Sequence, residues 1–342
     1  MLENILTTEQ ENLLRQIIAE ANNIIICCHK SPDGDALGSS LAWSMVLQTL
    51  GKTSTVIVPD QYPDFLQWMP NTERIIRYDK HPEEAGQRFA QADLVFCMDM
   101  NTASRVNDME PVLSGCAATK ILIDHHLNPQ MPTRLSVSHP EMSSTCEILF
   151  RLVWQMGLFE QMDKKWATCV YCGMMTDTGA FTYASTAPDI YYIISQLLTK
   201  HINKDKIYRK VFNNFSTWAI RFRGFVMNQK LNVFEDKHAA YFAISKNEMV
   251  RYHFSKGDAE GLVNEPLRIK GLQLSISLRE DDRHENLVWV SLRSVDDFPC
   301  NKMAEVYFNG GGHNNASGGK LNCSLEEAEA ITRKAINEFC AG

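Results

Sequence analysis

Four short, mostly apolar runs separated by helix-like spacers constrain the fold of this 342-residue chain more than any other feature. They are Ile24-Ile25-Ile26-Cys27-Cys28 and residues 53–58, 94–98 and 120–123. Strands that are apolar on both faces belong in a parallel sheet covered on both sides. Parallel neighbours need crossover connections, and residues 36–50, with small side chains along one face, read as the first such helix. In a sheet of this kind, ligands gather at the carboxyl ends of the strands.

Further helices are expected at residues 144–156, 164–175, 189–199 and 204–215, which close a first domain over residues 1–200. Residues 201–230 read as a basic helical linker: from 200 to 230 there are eight Lys or Arg side chains against Asp205 alone. Such a stretch is a solvated helix face or the border of a cleft for a phosphate-bearing substrate. From residue 231 the texture changes to longer alternating strands at 239–244, 272–278 and 287–293, then a helix at 324–339. Ser324 and Glu327 form a helix-start signature. Residues 231–342 therefore read as a second, smaller mixed α/β domain with some antiparallel pairing.

Composition narrows the partners. Hydrophobic residues are 44% and charged residues 22% of the chain, ordinary globular usage. The net charge of −7 argues against a protein that coats long duplex nucleic acid, while leaving room for a short anionic substrate in a local basic site. The amino terminus lacks the features of a secretory signal and no run is long enough for a membrane span, so no membrane partner is expected. The ten cysteines are scattered through apolar segments, as reduced buried thiols are, and a cytoplasmic location is expected. A homodimer stays open.

Chemistry-bearing residues cluster at the strand ends. Cys28-His29-Lys30-Ser31-Pro32-Asp33-Gly34-Asp35 follows the first apolar run, Asp99 ends the third, and Asp124-His125-His126 ends the fourth. Asp177 ends an apolar helical segment. A single D-x-D pair is as well explained by a polar turn and helix cap. Acidic or imidazole groups at the ends of three separate parallel strands are not. Converging carboxylates repel one another unless a multivalent cation neutralises them. Five of them (Asp33, Asp35, Asp99, Asp124 and Asp177) exceed what one ion needs, so two divalent cations are expected. Mixed His and Asp donors suit Mn²⁺, with Mg²⁺ and Co²⁺ as alternatives.

In order and spacing, His29-x-x-x-Asp33-x-Asp35, Asp99, Asp124-His125-His126 and Asp177 resemble the motifs of the DHH phosphoesterase superfamily. The segment Gly310-Gly311-Gly312-His313-Asn314-Asn315-Ala316-Ser317-Gly318-Gly319 resembles the glycine-rich signature of the DHH-associated C-terminal domain. Together they are similar to the stand-alone nanoRNase type, oligoribonucleases that also act as phosphoadenosine-phosphate phosphatases, and the likeness covers almost the whole chain. The resemblance implies a parallel-sheet metal-binding catalytic domain followed by a substrate-binding domain. It implies His29 and Asp33 on one ion, Asp35, His125 and Asp177 on the other, and Asp99 bridging both. Asp124 would orient an imidazole, and His126 would sit beside the scissile phosphate as a catalytic residue, protonating the leaving oxygen or stabilising developing charge. In the glycine segment, Asn-Asn-Ala-Ser stands where an arginine and paired small residues are commoner.

Glycines 310, 311 and 312 leave the backbone able to approach an anion through its N–H groups, although a tight structural turn would use the same residues. The resemblance favours substrate binding for His313. Arg293, closing the run 287–292, is the candidate phosphate clamp, with a solvated strand end as the alternative. The expected activity is hydrolysis of short single-stranded RNA to mononucleotides, and of 3′-phosphoadenosine 5′-phosphate to AMP. Cyclic or linear dinucleotides are an alternative substrate, and an inactive nucleotide-binding sensor is an alternative of another class. The glycine–histidine segment disfavours an inorganic pyrophosphatase or exopolyphosphatase.

Overall fold

The computed structural model describes residues 2–255, 257–259 and 261–340. The chain divides into two compact units, one running up to Asn214 and the other from Phe215. Segment 201–230 is split between them: the helix Lys204–Phe212 belongs to the first unit and Thr217–Phe225 to the second.

The first unit is built on β1 (Ile24–Cys28), β2 (Ser54–Val58), β3 (Ile76–Arg77), β4 (Leu94–Met98), β5 (Thr119–Asp124) and β6 (Leu135–Ser138). They form one sheet in the order β3-β2-β1-β4-β5-β6, parallel throughout. β3 and β6 are additions to the strands expected from the sequence. β3 has only two residues and β6 alternates buried and exposed positions, so neither carries an apolar run. β1 and β4 are buried along their whole length, as strands covered on both faces must be. The chain winds outward from β1 to β3 and then returns to β4. Between β1 and β4 lies the point where the winding direction reverses, the place where open α/β sheets bind ligands.

Two helices on one face shape that point. The Gly34–Thr49 helix packs against Lys164–Asp177, and glycines set the closeness of their approach. A Cβ on Gly38 would lie 2.7 Å from the Cys169 carbonyl oxygen, and one on Gly173 would lie 2.8 Å from Asp35 Oδ1. The glycines thus bring the first turn of one helix, with Asp35, against the last turns of the other, which end at Asp177. Trp43, Phe96, Phe150 and Trp166 fill the core behind them. None of the ten cysteines forms a disulfide, and no helix among the described residues is long and apolar enough to cross a membrane.

The second unit contains β7 (Asn232–Phe234), β8 (Ala239–Ile244), β9 (Leu274–Glu280), β10 (Val288–Ser294), β11 (Gly311–His313) and β12 (Ala316–Leu321). Their order is β11-β12-β10-β9-β8-β7, antiparallel except for the parallel β8–β9 pair. The helix Leu325–Phe339 starts at Ser324 with the reciprocal Ser324–Glu327 capping bonds read from the sequence. The glycine segment is a β-hairpin and not an open loop. β11 and β12 pair across an Asn314-Asn315 turn, with Gly312 opposite Ser317 and His313 opposite Ala316.

Candidate metal centre

The strand ends deliver the sequence-selected residues to one place. His29 follows β1, Asp99 follows β4, and Asp124 is the last residue of β5, with His125 and His126 immediately after. Asp33 caps the Gly34–Thr49 helix, its Oδ1 accepting from the N–H groups of Asp35 and Ala36 at 3.0 Å. Asp99 adopts φ 57°, an uncommon conformation for a non-glycine residue, and its N–H is bonded to the Ile123 carbonyl on the neighbouring strand.

Two imidazoles are oriented by carbonyl groups. His29 Nδ1 lies 2.7 Å from the Lys30 oxygen and His125 Nδ1 lies 3.3 Å from the Met142 oxygen. A carbonyl can only accept, so each Nδ1 donates and each ring is left to act through Nε2. Those Nε2 atoms face carboxylate oxygens. His29 Nε2 is 3.3 Å from Asp99 Oδ2 and 3.7 Å from Asp33 Oδ2. His125 Nε2 is 3.3 Å from Asp177 Oδ2 and 3.5 Å from Asp99 Oδ1. Two atoms bound to one cation at about 2.1 Å each stand roughly 3–3.5 Å apart, so these separations suit donors around an ion.

The atoms fall into sets compact enough to hold a metal: His29, Asp33 and Asp99; Asp35, His125 and Asp177; and Asp99, Asp124 and His126. Asp99, only 2% exposed, turns Oδ2 to the first set and Oδ1 towards His125 and His126. His126 differs from the other two imidazoles. Its Nδ1 lies 2.7 Å from Asp124 Oδ1, a direct hydrogen bond, which commits that nitrogen as a donor and fixes the tautomer.

The electrostatics carry the same message. Burial opposes a charged His29, yet the Asp33 and Asp99 carboxylates outweigh it and hold the ring well above the usual histidine range. Burial pushes Asp35 well up, and the charges of Asp99 and Asp177 add to it. Burial likewise opposes the Asp99 anion, but the His29 hydrogen bond and the three imidazoles hold its pKa well below the usual carboxylate range. Asp124 Oδ2 is buried without a hydrogen-bond partner, an expensive state for a carboxylate oxygen unless a cation lies near. The donor set therefore fits divalent cations.

The glycine-hairpin candidates lie in the second unit. Arg293 is half-buried near the end of β10, where Nη1 donates to the Leu292 carbonyl at 2.9 Å and the backbone pairs with Ala316. A Cβ on Gly310 would collide with the Gly318 carbonyl, and one on Gly312, whose φ is +143°, would lie 2.6 Å from the Ala316 oxygen. Gly311 has open space around it. Strand packing alone therefore accounts for Gly310 and Gly312.

Sequence reading passed over Thr145. Its N–H donates to Asp35 Oδ2 at 2.7 Å and its hydroxyl to Asp99 Oδ1 at 2.9 Å. The only signal for it was the polar run Ser143-Ser144-Thr145 before an apolar helix, which reads equally well as an ordinary cap.

A doubly wound parallel sheet with acidic and imidazole donors at its reversal point defines a class of cation-binding α/β proteins. Comparison with known proteins makes this specific. Residues 23–174 match the DHH family, N-terminal domain. The crystal structure of an exopolyphosphatase-related protein from Bacteroides fragilis is 43% identical and superposes with a TM-score of 0.94, covering 99% of this chain and 98% of that one. The bifunctional oligoribonuclease and PAP phosphatase NrnA of Thermus thermophilus is 26% identical, over 96% of this chain and 94% of its own length. The cyclic-di-AMP phosphodiesterase PdeA of Listeria monocytogenes is 24% identical over 96% of this chain but only 49% of its own length. The chain belongs to the DHH family of phosphoesterases.

Proposed function

We propose that this chain is a cytoplasmic, divalent-metal-dependent phosphoesterase that hydrolyses short oligoribonucleotides to mononucleotides and 3′-phosphoadenosine 5′-phosphate to AMP. The observation that carries the reading is Asp99, a buried carboxylate whose two oxygens face two separate sets of donors. In this reading His29 and Asp33 would hold one ion and Asp35, His125 and Asp177 the other, with Asp99 shared between the two sets. Mn²⁺ suits such His/Asp donors best, with Mg²⁺ and Co²⁺ as alternatives. Ions held there would supply charge neutralisation at the phosphate and activation of the attacking water.

The chain's own residues do the rest. Asp124 holds His126 by Nδ1, so the ring would act on the leaving oxygen through Nε2, donating a proton only in its doubly protonated imidazolium form. The strand and helix scaffold fixes each donor before substrate arrives, which avoids reorganisation during the reaction. The second unit supplies Arg293 as a phosphate clamp, with His313 and the Gly310–Gly312 backbone contacting the substrate. Full-length similarity to the Thermus thermophilus protein, whose name states both activities, supports this substrate class. The net charge of −7 favours substrates with few phosphates.

Similarity to the Listeria monocytogenes phosphodiesterase favours a second reading, hydrolysis of cyclic dinucleotides. One side-by-side assay separates them. 5′-Phosphorylated RNAs of two to about twenty nucleotides, phosphoadenosine-phosphate, cyclic dinucleotides, pyrophosphate and polyphosphate are offered with Mn²⁺. The proposal expects the highest kcat/KM on two- to five-nucleotide RNA. Preference for a cyclic dinucleotide or for polyphosphate, or faster cleavage of the longest RNA, overturns it. Turnover of none of them points to a nucleotide-binding sensor.

A further inference from the structure

We propose that Thr145 is a positioning residue that locks the two cation sites to one another, a role that rests on the two-ion reading above. Thr145 is fully buried, and its two donors go to two different donor sets. The hydroxyl reaches Asp99 Oδ1, and the backbone N–H reaches Asp35 Oδ2. A carboxylate can rotate about its Cβ–Cγ bond, and a bridging one must not. The hydroxyl sets that rotation, so that Oδ2 stays turned to His29 while Oδ1 faces His125 and His126.

The segment that carries Thr145 is itself held rigidly. Ser144 caps the Thr145–Gln155 helix, and Cys146 N–H gives Asp35 Oδ1 a second backbone bond at 2.9 Å. Glu147 Oε2 accepts from both the N–H and the hydroxyl of Ser143, while Oε1 accepts from the buried Arg151. Two residues earlier in the chain than Ser144, the Met142 carbonyl orients His125. One short stretch of chain thus holds Asp35 and His125 through its backbone and Asp99 through the Thr145 hydroxyl, members of both sets. Mutation of residues that hold metal ligands in this way typically costs about 10–100-fold in metal affinity or activity.

The experiment uses the full chain and Mn²⁺ alone, with no substrate. Thr145→Val keeps the shape and the backbone N–H but removes the hydroxyl; Thr145→Ser keeps the hydroxyl and removes the methyl. Calorimetric titration measures stoichiometry and affinity, electron paramagnetic resonance reports the magnetic coupling of a bridged Mn²⁺ pair, and thermal unfolding monitors the fold. Thr145→Val is expected to weaken Mn²⁺ binding about 10–100-fold and to lose the coupled-pair signal, while Thr145→Ser retains both. If Thr145→Val fails to fold, Thr145→Ala takes its place in the same comparison. Unchanged affinity and coupling in Thr145→Val overturns the proposal, as does a Thr145→Ser variant that behaves like Thr145→Val. Failure of the wild type to bind Mn²⁺ overturns the two-ion reading itself, and the positioning role with it.

Discussion

The strand-end cluster of the first unit and the glycine hairpin of the second are both compact, unusual sequence patterns, yet they differ in what the fold needs from them. Gly310 and Gly312 are accounted for by packing, because a side chain at either would meet the opposing strand. Close approach does not account for the cluster, although Asp33 caps a helix and Asp35 accepts from the N–H groups of Thr145 and Cys146. Burying Asp35, Asp99 and Asp124 beside one another costs stability, and nothing in the sheet requires acids there. Residues that destabilise the fold they occupy are evidence of chemistry; residues that permit it are evidence only of close approach.

The largest expected effect tests the cluster. Asp99→Ala should lose both metal ions and at least about 10³-fold in kcat, because one carboxylate serves both donor sets. Elemental analysis finding two retained ions would refute the bridging role. His126→Ala comes next, with about 10²–10⁴-fold loss in kcat and most of the metal kept, as expected for a proton donor. A metal-free or nearly fully active variant would erase the distinction between His125 and His126.

The hairpin is tested by a contrast within one run of glycines. Gly310→Ala should destabilise the second unit by about 1–3 kcal/mol, read as a lower denaturation midpoint, because the Gly318 carbonyl has to move. Gly311→Ala, with open space around it, should leave stability unchanged. If Gly311→Ala nevertheless raises KM for dinucleotides, this backbone contacts substrate; if it changes neither quantity, the hairpin is architecture and the comparison between the two regions sharpens.

The smallest expected effect concerns Asp281, also in the second unit. Burial opposes its charge, but the Trp289 indole, the N–H groups of His284 and Arg283 and the His284 ring outweigh it and hold the carboxyl well below the usual range. A depressed folded-state pKa contributes stability that is present above the unfolded value, about 3.9, and lost as the pH falls below it. Asp281→Asn should therefore cost about 1 kcal/mol near pH 7 and less near pH 3. A loss that stays constant with pH would show that the carboxylate's charge is not what the indole and amides stabilise.

Much of this was legible before the fold was known. β1, β2, β4 and β5 announce themselves because strands covered on both faces carry apolar runs where they are buried, and the helix at Ser324 because capping is local chemistry. β3 and β6 carry no comparable signal, since two residues or a half-exposed edge leave no pattern to read. For the glycine segment the sequence leaves an anion-binding backbone and a tight structural turn both open, because glycine freedom looks the same in a cradle and in a close strand contact.

The sequence by itself determined the donor inventory and its delivery to strand ends, because both follow from residue identity and from the periodicity of buried strands. Only the tertiary structure decided the partnerships. It placed β4 beside β1, so that Asp99 stands between His29 and His125, and it packed two helices closely enough at Gly38 and Gly173 to bring Asp177 to His125. It also gave Thr145 its two carboxylates, 46 and 110 positions away along the chain. Spacing in sequence carries no information about such pairs, because side-chain orientation and contact across a sheet are set by packing and not by the local chain.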